Sequence, residues 1–232
     1  GLLVIQFKKL IEKLQNDVLK MKTIMVKDGI PMISKTDVLL ICHDVDRGIN
    51  FRGKAYSPLI DSVREDLESR GLHCLVIAHP WSWLVGRRAW GEPLSISRSF
   101  FLAYIISKIN RLKLLKFNNE DFRFRFYAGI LKKSSAKLVI TIGAPESLCR
   151  ATRSLGVCHA ELLHGIGYIN VEWDWDKRHS SALPTFVLSF DSISTNTFSK
   201  LEPKGLEVLQ IPHPFLKRFT AKKGIHKLPK EW

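Results

Sequence analysis

Long apolar runs and signal features are both missing from this sequence of 232 residues. No run approaches the roughly 20 apolar residues that a helix needs to cross a bilayer. The N-terminus, which begins at Gly1 rather than Met, also lacks the small-residue cleavage site of a secretory signal. We therefore expect a cytoplasmic protein or one that is peripheral to a membrane.

Cysteine is scarce, with four residues spread widely along the chain. Cys42, Cys74, Cys149 and Cys158 form no C-x-x-C pair, and no clustered Cys/His spacing surrounds them. Neither a zinc site nor a disulfide framework is indicated. Because three of the four lie in apolar, strand-like runs, we expect reduced and buried thiols.

Acidic residues are also few, since 22 of them stand against 36 lysines and arginines and give a net charge of +14. This excess predicts anionic partners, which include nucleotide diphosphates, lipid phosphates, an acidic membrane surface and nucleic acid. A composition of 45% hydrophobic and 25% charged residues is that of an ordinary folded domain. Disorder is thereby excluded as the main state of the chain.

Apolar runs of strand length alternate with segments of helical character. Near-continuous apolar strands indicate a sheet that is buried on both faces, and the alternation favours parallel strands with right-handed crossovers. The predicted strands are 37–43, 73–79, 136–142, 158–164, 185–190 and 206–211. The predicted helices are 57–70, 98–116, 120–133, 146–155 and 192–200. The fold class is thus α/β, with a doubly wound, mostly parallel, Rossmann-like sheet.

Three segments make up the predicted organisation. Residues 1–35 are a lead-in, in which residues 4–21 form an amphipathic helix. Its apolar stripe predicts packing on the domain or on a partner helix, and a membrane-surface helix with its lysines on lipid phosphates is the alternative. Residues 36–216 form the α/β domain, with a helical and aromatic insertion at about 80–135, and residues 217–232 form a basic tail or linker.

Two polar clusters follow the ends of predicted strands, where open parallel sheets bind ligands. If strands 37–43 and 158–164 are central neighbours, the clusters meet at one rim. The arginines and lysine of the first cluster suit a diphosphate or a carboxylated sugar. Its candidate ligand-binding or catalytic residues are His43, Asp44, Asp46, Arg47, Arg52, Lys54 and Tyr56.

The second cluster contains Glu161, His164, Gly165, Gly167 and Tyr168. At neutral pH His164 can accept a proton from an acceptor hydroxyl or donate a hydrogen bond to a phosphate oxygen. Asp44 or Glu146 follows a strand at the same rim and can orient this histidine or act as the base. We therefore predict His164 and Asp44 as catalytic residues.

Three other patterns carry less weight. Asp44-Val45-Asp46 has the form of a metal-binding D-x-D, but that pattern is frequent by chance and we expect no metal. Gly165 and Gly167 lack the third glycine of a dinucleotide fingerprint, so NAD is not expected. The segment 172–176, with two tryptophans and three acids, fits either a sugar-stacking surface or a rim loop packed on the domain.

The phrase at 160–168, Ala-Glu-Leu-Leu-His-Gly-Ile-Gly-Tyr, and the later Ile211-Pro212-His213-Pro214-Phe215 resemble motifs of bacterial capsule, O-antigen and teichoic-acid glycosyltransferases of the GT-B type. The resemblance implies that this chain is one half of a GT-B fold, its N-terminal, acceptor-side domain. It also implies that His164 contacts the donor phosphate or transfers a proton, and that His213 marks a hinge to a second, donor-binding Rossmann domain beyond these residues.

The same resemblance implies the partners of the chain. The donor is a nucleotide-sugar, no other cofactor is involved, and the acceptor is a lipid-linked oligosaccharide at the inner face of the cytoplasmic membrane. Half of a sugar-nucleotide 2-epimerase is an alternative enzyme. A non-enzymatic domain that binds nucleic acid or an anionic surface through the Phe/Arg-rich segment 122–127 is the alternative without catalysis. No known nucleic-acid module is recognisable, so nucleic acid is not the expected partner.

Overall fold

A computed structural model describes residue 18, residues 20–111 and residues 122–217. Its centre is one parallel sheet of six strands, and each strand begins and ends within two residues of a predicted one. The six are β1 (Val38–Cys42), β4 (Cys74–Ala78), β5 (Leu138–Thr141), β6 (Cys158–Leu162), β7 (Phe186–Ser189) and β8 (Glu207–Gln210). The predicted α/β, Rossmann-like fold class is therefore confirmed.

The strand order is β4-β1-β5-β6-β7-β8, with every pair parallel. The prediction that strands 37–43 and 158–164 are neighbours is wrong, because Val38 of β1 pairs with Leu138 of β5, which pairs in turn with Cys158 of β6. Apolar runs reveal strands but not their order. The point where strand order reverses lies between β1 and β5.

Five α-helices from residue 60 onward accompany the sheet within the described residues: α1 (Ile60–Ser69), α2 (Ser97–Arg111), α3 (Phe122–Ser134), α4 (Glu146–Ser154) and α5 (Ser192–Phe198). Helix α1 begins three residues later than Ser57, but the Ser57 hydroxyl still accepts a hydrogen bond from the Ile60 amide at 3.2 Å. Gly71, with φ of 82°, follows its end. Helices α2 and α3 occupy the predicted insertion between β4 and β5.

Alternate residues of the strands enter two hydrophobic cores on opposite faces of the sheet. On one face, Leu39 and Val139 pack with residues of α3 and α4, among them Leu148. On the other, Leu40 and Leu162 lie in a cluster with Ile60 of α1. The sheet is thus covered from both sides, as the near-continuous apolar strands predict.

No helix within the described ranges is long and apolar enough to cross a membrane.

All four cysteines are free; Cys42 and Cys149 are buried and Cys74 is half-buried. The expected burial fails at Cys158, which is exposed because it is the first residue of β6, where that strand enters the sheet.

A β-hairpin follows β1 where the sequence predicts a ligand-binding loop. Strands β2 (Ile49–Phe51) and β3 (Lys54–Tyr56) are joined by Arg52 and Gly53, whose φ angles are 50° and 74°. Positive φ at both positions is the requirement of the two-residue hairpin turns that match strand twist. The turn places Arg52 on an exposed tip.

Arg47 lies beneath this hairpin, in the interior. Its Nη1 is 2.7 Å from Asp61 Oδ2, and the two side chains are 1% and 0% exposed. The same nitrogen donates to the carbonyl oxygens of Ala55 and Trp90 at 3.4 and 3.2 Å. The prediction that Arg47 binds substrate is therefore corrected: its guanidinium joins β1, the hairpin and α1, and solvent does not reach it.

Candidate functional site

Two histidines stack where β1 and β4 end. The ring centroids of His43 and His79 are 3.7 Å apart with 24° between the planes. Burial lowers the pKa of both, and that of His79 falls to about 3, with His43 as a second cause. The pair is consequently neutral at pH 7. Because His79 Nδ1 lies 3.3 Å from the Pro80 carbonyl oxygen, that nitrogen carries the hydrogen and Nε2 is left as an acceptor.

The β5 end contacts this pair through Gly143. A Cβ at Gly143 would lie 3.5 Å from Cδ2 and Nε2 of His43, so the backbone passes directly against the imidazole. The φ of 77° at this position is in the left-handed region that favours glycine. Gly143 therefore brings the β5 end and the β1 end together at the switch point of the sheet.

Asp46 supplies a carboxylate beside these rings. It is half-buried, and its Oδ2 atom is buried without a hydrogen-bond partner among the described residues. Burial raises the pKa of Asp46, whereas the nearby His43, His164 and Arg47 act to lower it. A carboxylate oxygen in that condition is ready to accept a hydrogen bond or a proton from a ligand.

Glu161 is fully buried behind the Gly143 loop. Its Oε1 accepts the Gly143 amide at 2.5 Å, and its Oε2 accepts the Ala144 amide at 3.1 Å. Thr141 Oγ1 is 2.5 Å from Oε2 and 2.9 Å from His159 Nε2. Glu161 therefore holds the β5 end in place through buried hydrogen bonds, and the prediction that it contacts a ligand is corrected.

A count of hydrogens gives the protonation state of this network. The Thr152 hydroxyl donates to the Cys149 carbonyl at 2.9 Å, so the 3.3 Å contact with His159 Nδ1 needs a hydrogen on that nitrogen. His159 Nε2 then accepts the only hydroxyl hydrogen of Thr141. The hydrogen between Thr141 and Glu161 must consequently come from a neutral Glu161. Burial also favours the neutral acid, because it raises the pKa of Glu161 to about 8.

The buried acid and histidine predict the pH dependence of stability. Folded Glu161 keeps its proton up to about pH 8, whereas the unfolded chain loses it near pH 4.3, so its contribution is full at low pH and is lost as the pH rises toward 8. Burial lowers the pKa of His159 to about 3, so its contribution is lost as the pH falls from 6.5. Between about pH 4.3 and 6.5 the opposite effects of Glu161 and His159 cancel, so we expect a plateau in the free energy of unfolding there.

We expect Glu161→Gln to weaken the fall in the free energy of unfolding that occurs above pH 6.5. At pH 6 the variant should lose about 1–3 kcal/mol, because an amide cannot both donate to Thr141 and accept from Gly143 and Ala144 as the acid does. This deficit should narrow toward pH 8, by at most about 1.4 kcal/mol per pH unit. Urea unfolding at several pH values measures it, with Glu207→Gln, at an exposed residue, as the control. Parallel curves for Glu161→Gln and the original chain would contradict a buried neutral acid.

His164 is exposed and follows the end of β6. Its Nε2 is 3.1 Å from the hydroxyl of Tyr168, whose pKa is raised by burial. The loop is fixed to α5, because the Gly167 amide donates to Asp191 and the Tyr168 amide donates to Ser194, each at 3.1 Å. The structure thus supports the placement of His164 at a ligand-accessible rim.

Asp44 and Lys54, two further candidate residues, contact other groups of the protein. Both carboxylate oxygens of Asp44 accept backbone amides, from Trp83 at 2.6 Å and from Leu84 at 3.3–3.4 Å, so this residue positions the loop after β4. Lys54 pairs with Glu92 at 3.1 Å. Asp46, His43 and His164 remain as the candidate residues for ligand contact, whereas Asp44 has a structural role in the loop after β4.

Four more candidate residues have contacts or positions of other kinds. Tyr56 is buried, with its hydroxyl 3.0 Å from Ser62 Oγ, which makes it a core residue of α1 and the hairpin. Glu146 is exposed in the first turn of α4, and Gly165 lies against the Tyr168 ring. His213 packs on Phe190 with ring centroids 4.7 Å apart, and burial lowers its pKa. None of these four contacts the His43–Asp46 pair through a hydrogen bond in the part of the chain described.

Two aromatic segments are explained by packing. Trp175 is buried, and Trp173 lies 5.3 Å from it between ring centroids, so segment 172–176 is a rim loop packed on the domain. In segment 122–127, Phe122 and Phe126 contact the Phe100 ring at 5.6 and 5.3 Å. These rings join α2 and α3 and do not form an open stacking surface for nucleic acid.

Sequence reasoning missed His79, Thr141 and His159. His79 ends a predicted strand, which was a usable signal, because strand ends converge at one edge of a parallel sheet. Thr141 and His159 lie on adjacent strands whose pairing only the structure reveals. Within residues 20–111 and 122–217, no group of three His, Cys, Asp or Glu side chains is arranged to hold a metal ion.

Comparison with known proteins gives no match: no protein-family model fits the chain, and no curated protein is significantly similar in sequence.

Proposed function

We propose that this chain is the acceptor-side domain of a GT-B type glycosyltransferase, which transfers a sugar from a nucleotide-sugar to a growing bacterial surface glycan. One observation carries the proposal: a buried, unpartnered carboxylate oxygen of Asp46 lies beside His43 and within electrostatic reach of His164. These residues stand at the carboxyl edge of a doubly wound sheet, near its switch point, where such folds bind ligands.

In the proposed reaction Asp46 is the base. The acceptor hydroxyl gives its proton to the Asp46 carboxylate as its oxygen attacks the anomeric carbon of the donor. The bond between that carbon and the leaving phosphate oxygen breaks, and a nucleotide leaves. The neutral imidazole of His43 can donate a hydrogen bond to a sugar or phosphate oxygen without adding charge. We assign a hydrogen-bonding role toward the same oxygens to the exposed His164.

The surroundings of the reaction follow from the resemblance and the charge. A second Rossmann domain would hold the nucleotide-sugar, as in the transferases that the motifs resemble. The acceptor would be a lipid-linked oligosaccharide, which places the protein in the cytoplasm at the inner face of the cytoplasmic membrane. The net charge of +14 favours both the phosphates of the donor and those of the lipid.

Nucleotide release tests the proposal. The protein, produced with whatever coding sequence continues its reading frame, is incubated with CMP-, UDP- and GDP-sugars and with bacterial membranes that contain lipid-linked glycans. We expect release of one nucleotide that depends on the acceptor. Absence of release from every donor overturns the proposal, and conversion of the donor to its 2-epimer without an acceptor assigns the chain to the epimerases instead.

A further inference from the structure

Helix α2 presents apolar side chains to solvent. Leu102, Ile105, Ile106 and Ile109 are exposed, and their spacing of three and four residues places them on one stripe of the helix. The opposite side of α2 is already packed, since Phe100 is buried and contacts α3. An amphipathic helix on a globular domain normally buries its apolar stripe, so this second stripe lacks the usual partner among the described residues.

The residues that precede the domain show the same property. Residues 20–25 are helical, and Thr23 is their buried member. The apolar side chains of Val18, Met21 and Met25 are exposed instead. Of the predicted amphipathic helix 4–21, the structure describes residues 18, 20 and 21, and the rest lies outside the described residues. Its packing on the domain or on a partner helix therefore stays a prediction.

Arg98 joins the two apolar stripes. It is exposed on α2 one turn before Leu102, and its guanidinium donates to the carbonyl oxygens of Ile24 and Met25 at 3.1 and 3.3 Å. The end of the first helical segment is thus held against the start of the α2 stripe. The two exposed stripes are together named the outer patch, and its seven apolar members are 37–80% exposed: Val18, Met21, Met25, Leu102, Ile105, Ile106 and Ile109.

Basic residues border the outer patch. Lys20, Lys22, Lys27 and Arg98 are all exposed. Asp28 is the only acid in the sequence from 18 to 29, and its carboxylate accepts hydrogen bonds from the Ser99 hydroxyl and from the Ile30 amide. The border therefore combines several cations with an acid that is engaged within the protein. Exposed apolar side chains that group together on a domain ordinarily mark an interaction site.

We propose that the outer patch docks the protein on an anionic lipid surface. Its aliphatic and methionine side chains would enter the boundary between headgroups and acyl chains, while the lysines contact lipid phosphates. This is the chemistry of a helix that lies on a membrane without crossing it. A second copy of the chain fits less well, because it would bring another +14 charge and the same basic border against this one.

Docking on lipid extends the proposed function, and it depends on that function only for the identity of the acceptor. A patch that lies flat on the bilayer would hold the chain at the surface from which a lipid-linked glycan projects. Lipid binding is measured without donor, acceptor or turnover, so it is tested separately from the chemistry at Asp46.

Vesicle flotation tests the docking. The 232-residue chain is mixed with vesicles of phosphatidylcholine alone or of phosphatidylcholine and phosphatidylglycerol in equal parts. We expect binding to the anionic vesicles, little binding to the neutral ones, and loss of binding as salt rises. The double variant Leu102→Ser/Ile106→Ser should bind at least about tenfold more weakly, because each lost side chain removes apolar burial. Leu72→Ser, at an exposed leucine outside the patch, should change little.

A matched pair of variants tests the charges. Lys20→Gln/Lys22→Gln/Lys27→Gln should weaken binding about fivefold for each charge that lies near the surface. The control Lys132→Gln/Lys137→Gln/Lys200→Gln removes the same three charges from exposed residues elsewhere on the chain. Circular dichroism spectra and thermal unfolding of every variant establish that it is folded before its binding is compared.

Three results overturn the assignment. The first is equal binding to neutral and anionic vesicles, or no binding at about 50 mM salt, where electrostatic attraction is strong. The second is an equal loss in the patch variants and their controls. The third is self-association that the Leu102→Ser/Ile106→Ser change abolishes, without lipid binding, which assigns the patch to a second copy. Lipid binding without sugar transfer leaves the docking intact and counts against the transferase alone.

Discussion

Nucleotide release is expected to fall by about 10²- to 10⁴-fold when Asp46 is replaced by Asn, the range that general-base catalysis contributes. Asn keeps the shape of the side chain and its capacity to accept a hydrogen bond, but it cannot take up the acceptor proton. The measurement is kcat/KM for the acceptor in the protein that is used for the nucleotide-release assay. In the original protein the acid limb of the pH profile should lie above the ordinary pKa of an aspartate, because burial raises the pKa of Asp46.

Asp66→Asn is the control for that substitution. Asp66 is exposed on α1 and pairs with Arg70 in the next turn, so the change removes one carboxylate away from His43 and Asp46. It should leave kcat/KM within about threefold, because a surface ion pair contributes little energy. If Asp46→Asn retains as much activity as Asp66→Asn, Asp46 is not the base and the mechanism proposed here fails.

Loss of the buried Arg47–Asp61 ion pair is expected to reduce the free energy of unfolding by about 3–5 kcal/mol. In Arg47→Met the carboxylate of Asp61 stays in the interior with the Ser57 amide, at 2.7 Å, as its remaining donor. The carbonyl oxygens of Ala55 and Trp90 also lose their hydrogen bonds to the guanidinium. Urea unfolding of the original chain and the variant gives the difference.

The matched control is Arg70→Met, which breaks an ion pair that is largely exposed to solvent. We expect it to cost less than about 1 kcal/mol. The double variant Arg47→Met/Asp61→Leu should recover part of the loss, because no buried charge is left unpaired, although the Ser57 amide then lacks its acceptor. The single variants Arg47→Met and Asp61→Leu are measured as well. If their two losses of unfolding free energy simply add up to the loss in the double variant, Arg47 and Asp61 do not act as a pair.

The strands were predictable because their signal is local. A parallel strand that is buried on both faces is apolar at every position, and the sequence shows this in β1, where all five residues are buried. Strand order was not predictable in the same way. Which strand pairs with β1 depends on how α2 and α3 carry the chain back across the sheet, and no residue of β1 records that path.

The sequence predicted that the candidate residues follow strand ends, but it did not predict which of their side chains are buried. Asp46 and Arg47 are adjacent in sequence, yet Asp46 is half-buried beside His43 and Arg47 is fully buried against α1. The short helical turn Asp44–Asp46 after β1 makes this division, since it rotates successive side chains to different sides. Glu161 was nominated as a ligand contact, but its alternation with Leu162 in β6 directs it to the face that α4 covers, where Thr152 and His159 complete the network.

The position of β5 beside β1 also governs how the sheet can assemble. Val38 and Leu138 are paired although they stand one hundred residues apart, whereas Phe186 and Glu207 of β7 and β8 are paired over a short stretch of chain. Pairs of large sequence separation form slowly, and an unpaired edge strand exposes free backbone donors and acceptors. During synthesis from the N-terminus, β1 must therefore wait with one open edge until α2 and α3 have been made. The helix that bears the outer patch lies within the stretch whose completion allows the sheet to close.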